Sequence, residues 1–399
     1  MATLLVIIYI SFISLGLPDS ILGSVWPRMQ ADLGAPLALV GYLSMTITAG
    51  TVISSVCSDY VVRRFGTGRV TAVSVLMTAL GLAGFALSPN VAFLFLCAVP
   101  LGLGAGSVDT ALNNFVALHY ETRHMNWLHC FWGIGASVGP VIVSMTLRMG
   151  GMWRTGYGMI AGLQGILCAV LFLTLPLWKR AVQRPEIKQA GAEADSAAAE
   201  TGGVLAALRL RGALPVLGGF VFYCAAESTG GLWGASFVHG HFGLPAADAA
   251  IASTLYFGAI TVGRSLAGFA ASCLSDKAMI RLGQLVALAG VAVIALAPTA
   301  AVAMAGIALV GLGFAPVYPS MLHVTPARFG AARSQAVMGL EMAFAYVGST
   351  CFPPLFGLLA SKLGTELYPW YLLICVAAML ACTELANKLV SISKKEVEK

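Results

Sequence analysis

The chain has 399 residues, 58% of them hydrophobic and only 10% charged, with a mean hydropathy of +0.86. A soluble domain carries about 25% charged residues, so this composition excludes an ordinary soluble protein and places the chain in a lipid bilayer. The net charge of +6 is scattered over short polar breaks between apolar runs, which makes it a topology signal and no sign of a nucleic-acid partner.

Apolar runs of about 20 residues, the length of helix that crosses ~30 Å of hydrocarbon, recur along the chain. Twelve spans are predicted, at about 3–27, 37–57, 70–88, 90–118, 128–149, 156–178, 212–239, 248–272, 281–297, 299–322, 335–361 and 367–388. The first begins almost at Met1 with neither a basic leader nor a small-residue cleavage pattern, so it is expected to be a retained helix and no signal peptide.

Of the 23 lysines and arginines, 18 fall in segments on the side of the N-terminus, against Arg28, Arg148, Arg154 and Lys362 in the opposite loops. Because positive loops stay inside, both termini are expected to be cytoplasmic, in a plasma (inner) membrane. All nine cysteines lie in or at the edges of apolar runs, where they read as small packing residues, and no disulfide is expected.

Residues 179–211, KRAVQRPEIKQAGAEADSAAAETGGVLAALRLR, form the one linker-like stretch. It divides the chain into an N-terminal six-helix bundle (1–178), a cytoplasmic linker (179–211), a C-terminal six-helix bundle (212–388) and a cytoplasmic tail (389–399). The halves echo each other, as transporter repeats do. SDYVVRRFG at 58–66 returns as SDKAMIRLG at 275–283, PDSILG at 18–23 answers to AESTGG at 226–231, and GLG at 102–104 recurs at 311–313. The expected fold is an all-α membrane protein of twelve transmembrane helices in two pseudo-symmetric six-helix bundles.

The loop DYVVRRFGTGR resembles the signature loop of the major facilitator superfamily, with an acid, basic residues and glycine between helices two and three. Ser55 or Cys57 stands here where a leading glycine is usual. The resemblance implies a conformational latch made by Asp59, Arg63, Arg64 and Arg69, with Asp276 and Arg281 as its echo in the second half. Read from the residues alone, the same loop is a positive-inside segment and a helix cap.

In span 4, GLGAGSVDTALNN resembles the fourth helix of the fucose permease branch of sugar:proton symporters. The similarity continues into NWLHCFWGIG of span 5, and Asp19 falls where that branch has a membrane acid. Asp109 stands for a glutamate, His129 for a glutamine and Trp132 for an asparagine. This likeness implies the same fold, a sugar-like solute and an energy-coupling acid.

The residues themselves support a site there. Gly102, Gly106, Asp109 and Asn113 follow helical spacings of three and four and share one face. A charge facing lipid is heavily disfavoured, so the stripe faces the bundle interior. Burial disfavours the charged form of a carboxylate, and Asp109 can therefore take up and release a proton as a cavity dries and wets. The competing reading is a permanently paired acid that holds helices together through Asn113, His129 or an arginine.

Asp19 follows Pro18, with Gly23 and Trp26 further along the helix, which reads either as a broken, ligand-contacting helix or as a plain break near the outer end. Glu227 shares a face of span 7 with Tyr223, Gly230, Gly231 and Gly234. In the superfamily's architecture helices 1, 4, 7 and 10 line a central cavity, which implies that Asp19, Asp109 and Glu227 surround one space. Arg264 in span 8 and Glu341 in span 11 read as a structural ion pair, with each other or with Glu227. Asn113, Asn114, His129, Trp26, Trp132, Tyr223 and Gln164 are the candidate solute-binding groups, with Tyr318 and Tyr346 as further aromatics; interfacial aromatic belts explain several of these equally well.

No glycine-rich phosphate loop with a lysine is present, so ATP is not the expected energy source. The three histidines at 119, 124 and 129 lack a second ligand cluster, and no metal or other cofactor is expected. No nucleophile–base–acid order can be assembled, so no enzyme is expected. The resulting expectation is a monomeric secondary transporter that moves a sugar or related small polar solute with a proton by alternating access. A proton-antiport exporter of drugs or metabolites is the first alternative, and a non-transporting receptor or scaffold is the second.

Overall fold

The computed structural model describes residues 2–120, 122–182, 208–271 and 273–397. The centre of the expected linker, 183–207, lies outside the described residues. Eleven helical segments are long and apolar enough to cross a membrane. A twelfth, Ala213–Phe242, has 30 residues and carries Glu227, His239 and His241. Helices are the required solution in hydrocarbon, since each satisfies its own backbone N–H and C=O groups.

Span 1 consists of two helices, Ala2–Asp19 and Ile21–Leu33. The break falls at Ser20, directly after Pro18 and Asp19, as the sequence led us to expect. The second helix runs past its expected end at residue 27: Pro27 is accommodated within it, an Arg28–Asp32 pair at 3.2 Å supports its last turns, and Gly34 in the left-handed region (φ 58°) stops it. Span 2, Leu39–Phe65, likewise extends through the expected loop, so Asp59, Arg63 and Arg64 lie on its last helical turns and Gly66 alone makes the turn into span 3, Thr67–Leu87. Gly66 has φ 82° and Gly330, before span 11, has φ 84°; both follow Arg-Phe, and a side chain at either would be strained.

The remaining spans are Val91–His119 (span 4), Thr122–Arg148 (span 5), Trp153–Leu173 (span 6), Ala213–Phe242 (span 7), Ala246–Ala249 with Ile251–Ala270 (span 8), Asp276–Ala295 (span 9), Ala300–Phe314 with Val317–His323 (span 10), Ala331–Leu363 (span 11) and Tyr368–Val397 (span 12). Packing repeats between the halves. In the first half span 1 packs on 5 and 6, span 4 on 2 and 3, and span 3 on 6; in the second half span 7 packs on 11 and 12, span 10 on 8 and 9, and span 9 on 12. Lipid offers no hydrophobic drive for helix association, so close backbone approach at small residues carries much of it.

The halves meet through spans 1 and 7, 2 and 11, and 5 and 8. The first helix of span 1 packs on spans 5, 6 and 4 of its own half, whereas the second packs on spans 7 and 8. The inter-half contacts are tight at the end opposite the termini, here the distal end. A Cβ built on Gly23 would lie 2.5 Å from Leu232 O, one on Gly41 2.6 Å from Pro354 Cα, and one on Gly357 3.2 Å from Ala38 Cα. Arg148 Nη2 also reaches Asp248 Oδ1 across the halves at 2.6 Å.

The structure is therefore closed distally. Both partners of the Arg148–Asp248 pair are about half exposed, at 55% and 40%, and exposed pairs contribute ~0.2–1 kcal/mol. Arg148→Ala is expected to loosen distal closure by no more than about fivefold, read as a small shift in spin-label distance distributions across that face.

Candidate functional site

Midway along the bundle a chain of polar contacts crosses from one half to the other. Asp19, at the break of span 1, is accessible although Leu17, Pro18 and Ser20 around it are buried, so its carboxylate faces an open space inside the bundle. Trp132 of span 5 donates its indole N–H to Asp19 Oδ2 at 2.8 Å. The Arg264 guanidinium of span 8 lies 5.5 Å from the centre of the Trp132 ring, a cation–π arrangement, and Phe257 meets that ring edge-on at 6.3 Å.

Arg264 Nη2 reaches Glu227 Oε1 of span 7 at 3.4 Å. Tyr223 OH donates to the same carboxylate oxygen at 2.9 Å, with Phe314 O at 3.2 Å as its alternative acceptor, while Tyr256 OH donates to the backbone carbonyl of Glu227 at 2.9 Å. Both partners of the Arg264–Glu227 pair are mostly buried, with side-chain exposures of 19% and 23%. Each is held in place by the other, because an unpaired charge at this depth is strongly disfavoured.

Asp109 of span 4 accepts from Asn113 Nδ2, one helical turn on, at 2.9 Å. It interacts electrostatically with Asp19 across the cavity and with Tyr346 of span 11. The predicted stripe of small residues packs span 4 against span 2: the Cβ position of Gly102 falls against the Ile47 carbonyl and that of Gly106 against the Thr51 carbonyl. The structure thus joins Glu227 to Asp19 through Arg264 and Trp132, with Asp109 within electrostatic reach of Asp19.

Other candidates separate. Gln164 of span 6 is buried inside the first half, where its Oε1 accepts from Ser14 (2.7 Å) and Thr78 (3.3 Å) and its Nε2 donates to Ser14 O at 2.6 Å. Among the described residues no hydrogen bond joins it to the acids. Gln164→Leu removes these buried bonds and strands their partners, at a cost of about 1–3 kcal/mol for the first orphaned group; lower thermal stability with unchanged solute affinity is the expected result. Trp26 is fully buried in the closed distal region, and its indole N–H has no partner among the described residues. Asn114 and His129 are both exposed, and the His129 ring meets Phe12 edge-on at 6.0 Å.

Arg264 pairs with Glu227 and not with Glu341. Fully buried Glu341 accepts from Thr325 Oγ1 at 2.7 Å, near Arg328. The echo of the signature loop is also wired differently from a simple acid–base pair. Asp276 meets His323 Nδ1 at 2.9 Å, while Arg281 makes two bonds of 2.5 Å to Glu384 of span 12. In the first half Arg64 Nη1 donates to Tyr60 OH at 3.2 Å, Arg63 and Arg69 are exposed, and the side chain of Asp59 lies outside the described ones.

Reading the sequence alone missed Tyr256, Phe257 and the central place of Arg264. The available signal was the arginine itself, since a cation inside a span requires a buried partner.

With this geometry in hand, comparisons with known proteins are informative. The profile of the Major Facilitator Superfamily matches residues 8–224 and again 215–396. The chain is 24% identical over 353 residues to an uncharacterized transporter, y4wD, of Sinorhizobium fredii, covering 85% of this chain and 87% of that protein. It is 27% identical over 155 residues to the niacin transporter NiaP of Acinetobacter baylyi, a match that spans 38% of this chain and only 33% of that protein. With the sodium-dependent glucose transporter 1 of Homo sapiens it shares 23% identity over 315 residues, covering 70% and 58%.

Among solved structures, a D-xylose–proton symporter superposes with a TM-score of 0.75 at 13% identity, covering 96% of each chain. The nucleoside transporter NupG gives 0.73 at 16% identity, covering 96% and 98%, and the xylose transporter XylE from E. coli in a partially occluded inward-open conformation gives 0.73 at 12%, covering 94% and 95%. At such identities the superpositions establish the fold alone. Two six-helix halves that each match one sequence profile, meeting around a line of charged side chains at mid-depth, make this multi-pass membrane chain a member of the Major Facilitator Superfamily.

Proposed function

We propose that this protein is a secondary active transporter that carries a sugar or related small polar solute together with a proton, by rocking of its two halves about the central site. The observation that carries the reading is the line Asp19–Trp132–Arg264–Glu227, which spans the halves at mid-depth with Asp109 beside it. Ionisable groups at this depth are costly and are kept where a substrate or ion pathway uses them. Wall aromatics beside a few placed polar groups suit a small polar ligand. The relatives named for glucose, niacin, xylose and nucleoside transport support the same general class.

In this reading the face that holds both termini is cytoplasmic, the membrane is the plasma (inner) membrane, and the unit is a monomer. Residues 1–178 and 212–388 are the rocking halves, joined by 179–211. The distally closed form is then the inward-facing state. Asp109 carries the proton: it lies within electrostatic reach of Asp19, and two like charges so placed are not both favoured as carboxylates.

The test uses purified protein in liposomes with a pH-sensitive dye inside, exposed to hexoses, deoxyhexoses and disaccharides. Solute-dependent proton entry supports symport. Proton exit on solute entry means antiport, and solute movement with no proton movement under any gradient means uniport.

A further inference from the structure

Arg264 lies at the junction of the halves, between Glu227 and Trp132, and its donors are incompletely used. Nη2 approaches Glu227 Oε1 at 3.4 Å, whereas a close charge-assisted N–H···O⁻ bond is about 2.7–2.9 Å. Glu227 divides that same oxygen between Arg264 and the Tyr223 hydroxyl. Arg264 Nε is buried without a hydrogen-bond partner. Buried donors in native proteins are nearly always paired. A guanidinium that is held end-on by one shared oxygen, with a second donor idle, is poorly matched by its resident acid.

The chemistry that completes it is specific. Guanidinium presents its donors in a rigid planar fork that fits the two oxygens of a carboxylate at once. The flat face of Trp132 stands beside the cation and Phe257 meets that ring edge-on, aromatic groups suited to contact with a small ring. On span 4, one turn from Asp109, the Asn113 Oδ1 acceptor is buried and unpartnered, available to a solute hydroxyl or N–H.

We propose that Arg264 is a solute-binding residue and that the solute class is a small ring-bearing carboxylate, such as a sugar acid, whose carboxylate takes the guanidinium from Glu227. The inference rests on the transporter reading above and narrows it from polar solutes in general to anions. Glu227 keeps Tyr223 as its partner when the solute is bound.

The test compares solutes that share a ring and differ in charge: glucuronate, glucose and glucosamine, with nicotinate and nicotinamide as a second set. Binding to the purified full chain is followed by Trp fluorescence and calorimetry, and counterflow is measured in liposomes. Each acid is expected to bind at least tenfold more tightly than its neutral partner, roughly the effect of one charged hydrogen bond. Arg264→Gln is expected to weaken acid binding about 10- to 100-fold more than it weakens binding of the neutral solutes. Arg264→Lys is expected to recover part of the loss, because the charge returns without the fork.

Equal binding of acid and neutral solutes, or an equal loss for both in Arg264→Gln, overturns the anion assignment and leaves the transporter reading standing. Preference for glucosamine overturns it in favour of a cation held by the acids. A protein that binds and moves none of these solutes overturns both readings. Should Arg264→Gln fail to fold, the acid-to-neutral ratio of the unmodified protein decides the matter.

Discussion

Asp109→Asn is expected to abolish solute-driven proton entry into liposomes, down to the level of empty vesicles, while solute counterflow persists. The amide has nearly the volume of the carboxylate, and its oxygen can still accept from Asn113 Nδ2, now 2.9 Å from Asp109 Oδ1, so the local packing survives. Neutralising a group inside the membrane also removes a cost of about 2.5–3.5 kcal/mol on insertion scales, so the variant should insert and fold. What it loses is the ability to exist in two protonation states, which is the property that coupling requires. Counterflow exchanges solute for solute with no net proton movement, and it separates a coupling defect from a binding defect. Unchanged coupling in the variant would assign the proton to Asp19 or Glu227 and leave Asp109 as a structural acid.

Gly41→Val should trap the protein open at its distal end. A Cβ on Gly41 would stand 2.6 Å from Pro354 Cα, 3.1 Å from Pro354 N and 3.3 Å from Pro353 O. These are backbone and ring atoms of two consecutive prolines in span 11, which cannot move aside as a flexible side chain would. Overpacking of this kind costs about 1–3 kcal/mol. Here the cost falls only on the state in which spans 2 and 11 meet, so the closed-to-open ratio is expected to fall by about 5- to 150-fold.

Spin labels at Met149 and Leu296, both exposed on distal loops of opposite halves, should report a longer distance in the variant, with net transport reduced in proportion. The same distance in wild type and variant would mean that span 11 yields and that Gly41 does not control closure. Arg148→Ala makes the comparison instructive. It acts at the same face, yet its effect is expected to be much smaller because an exposed ion pair contributes little while a backbone clash has no alternative arrangement.

Much of the architecture is carried by linear features. Hydropathy runs set the spans because the bilayer imposes one length and one polarity on every crossing segment. The echo of Asp59, Arg64 and Gly66 in Asp276, Arg281 and Gly283 exposed the repeat, and the packing pattern of the two halves follows it. The break at Pro18–Asp19 was legible because proline cannot donate to a helix. The acids were legible as a list, since any ionisable group in a 20-residue apolar run stands out.

Pairing was not legible. Helical spacing says which residues share a face of one helix, but which face meets which neighbour depends on the rotation and depth of every span, and those are set jointly by contacts such as Gly23 on Leu232 and Gly16 on the backbone of Trp132. Gln164, one of the candidate solute-binding groups, hydrogen-bonds to Ser14 and Thr78 because span 6 turns that face to spans 1 and 3. Arg264 had two possible acids, Glu227 and Glu341, and only the docking of span 8 against spans 5 and 7 gives it Glu227 on one side and Trp132 on the other. Composition and periodicity determine what each helix must bury; the choice of partner across helices is a property of the packed bundle, because it is fixed by long-range contacts that no local stretch of sequence encodes.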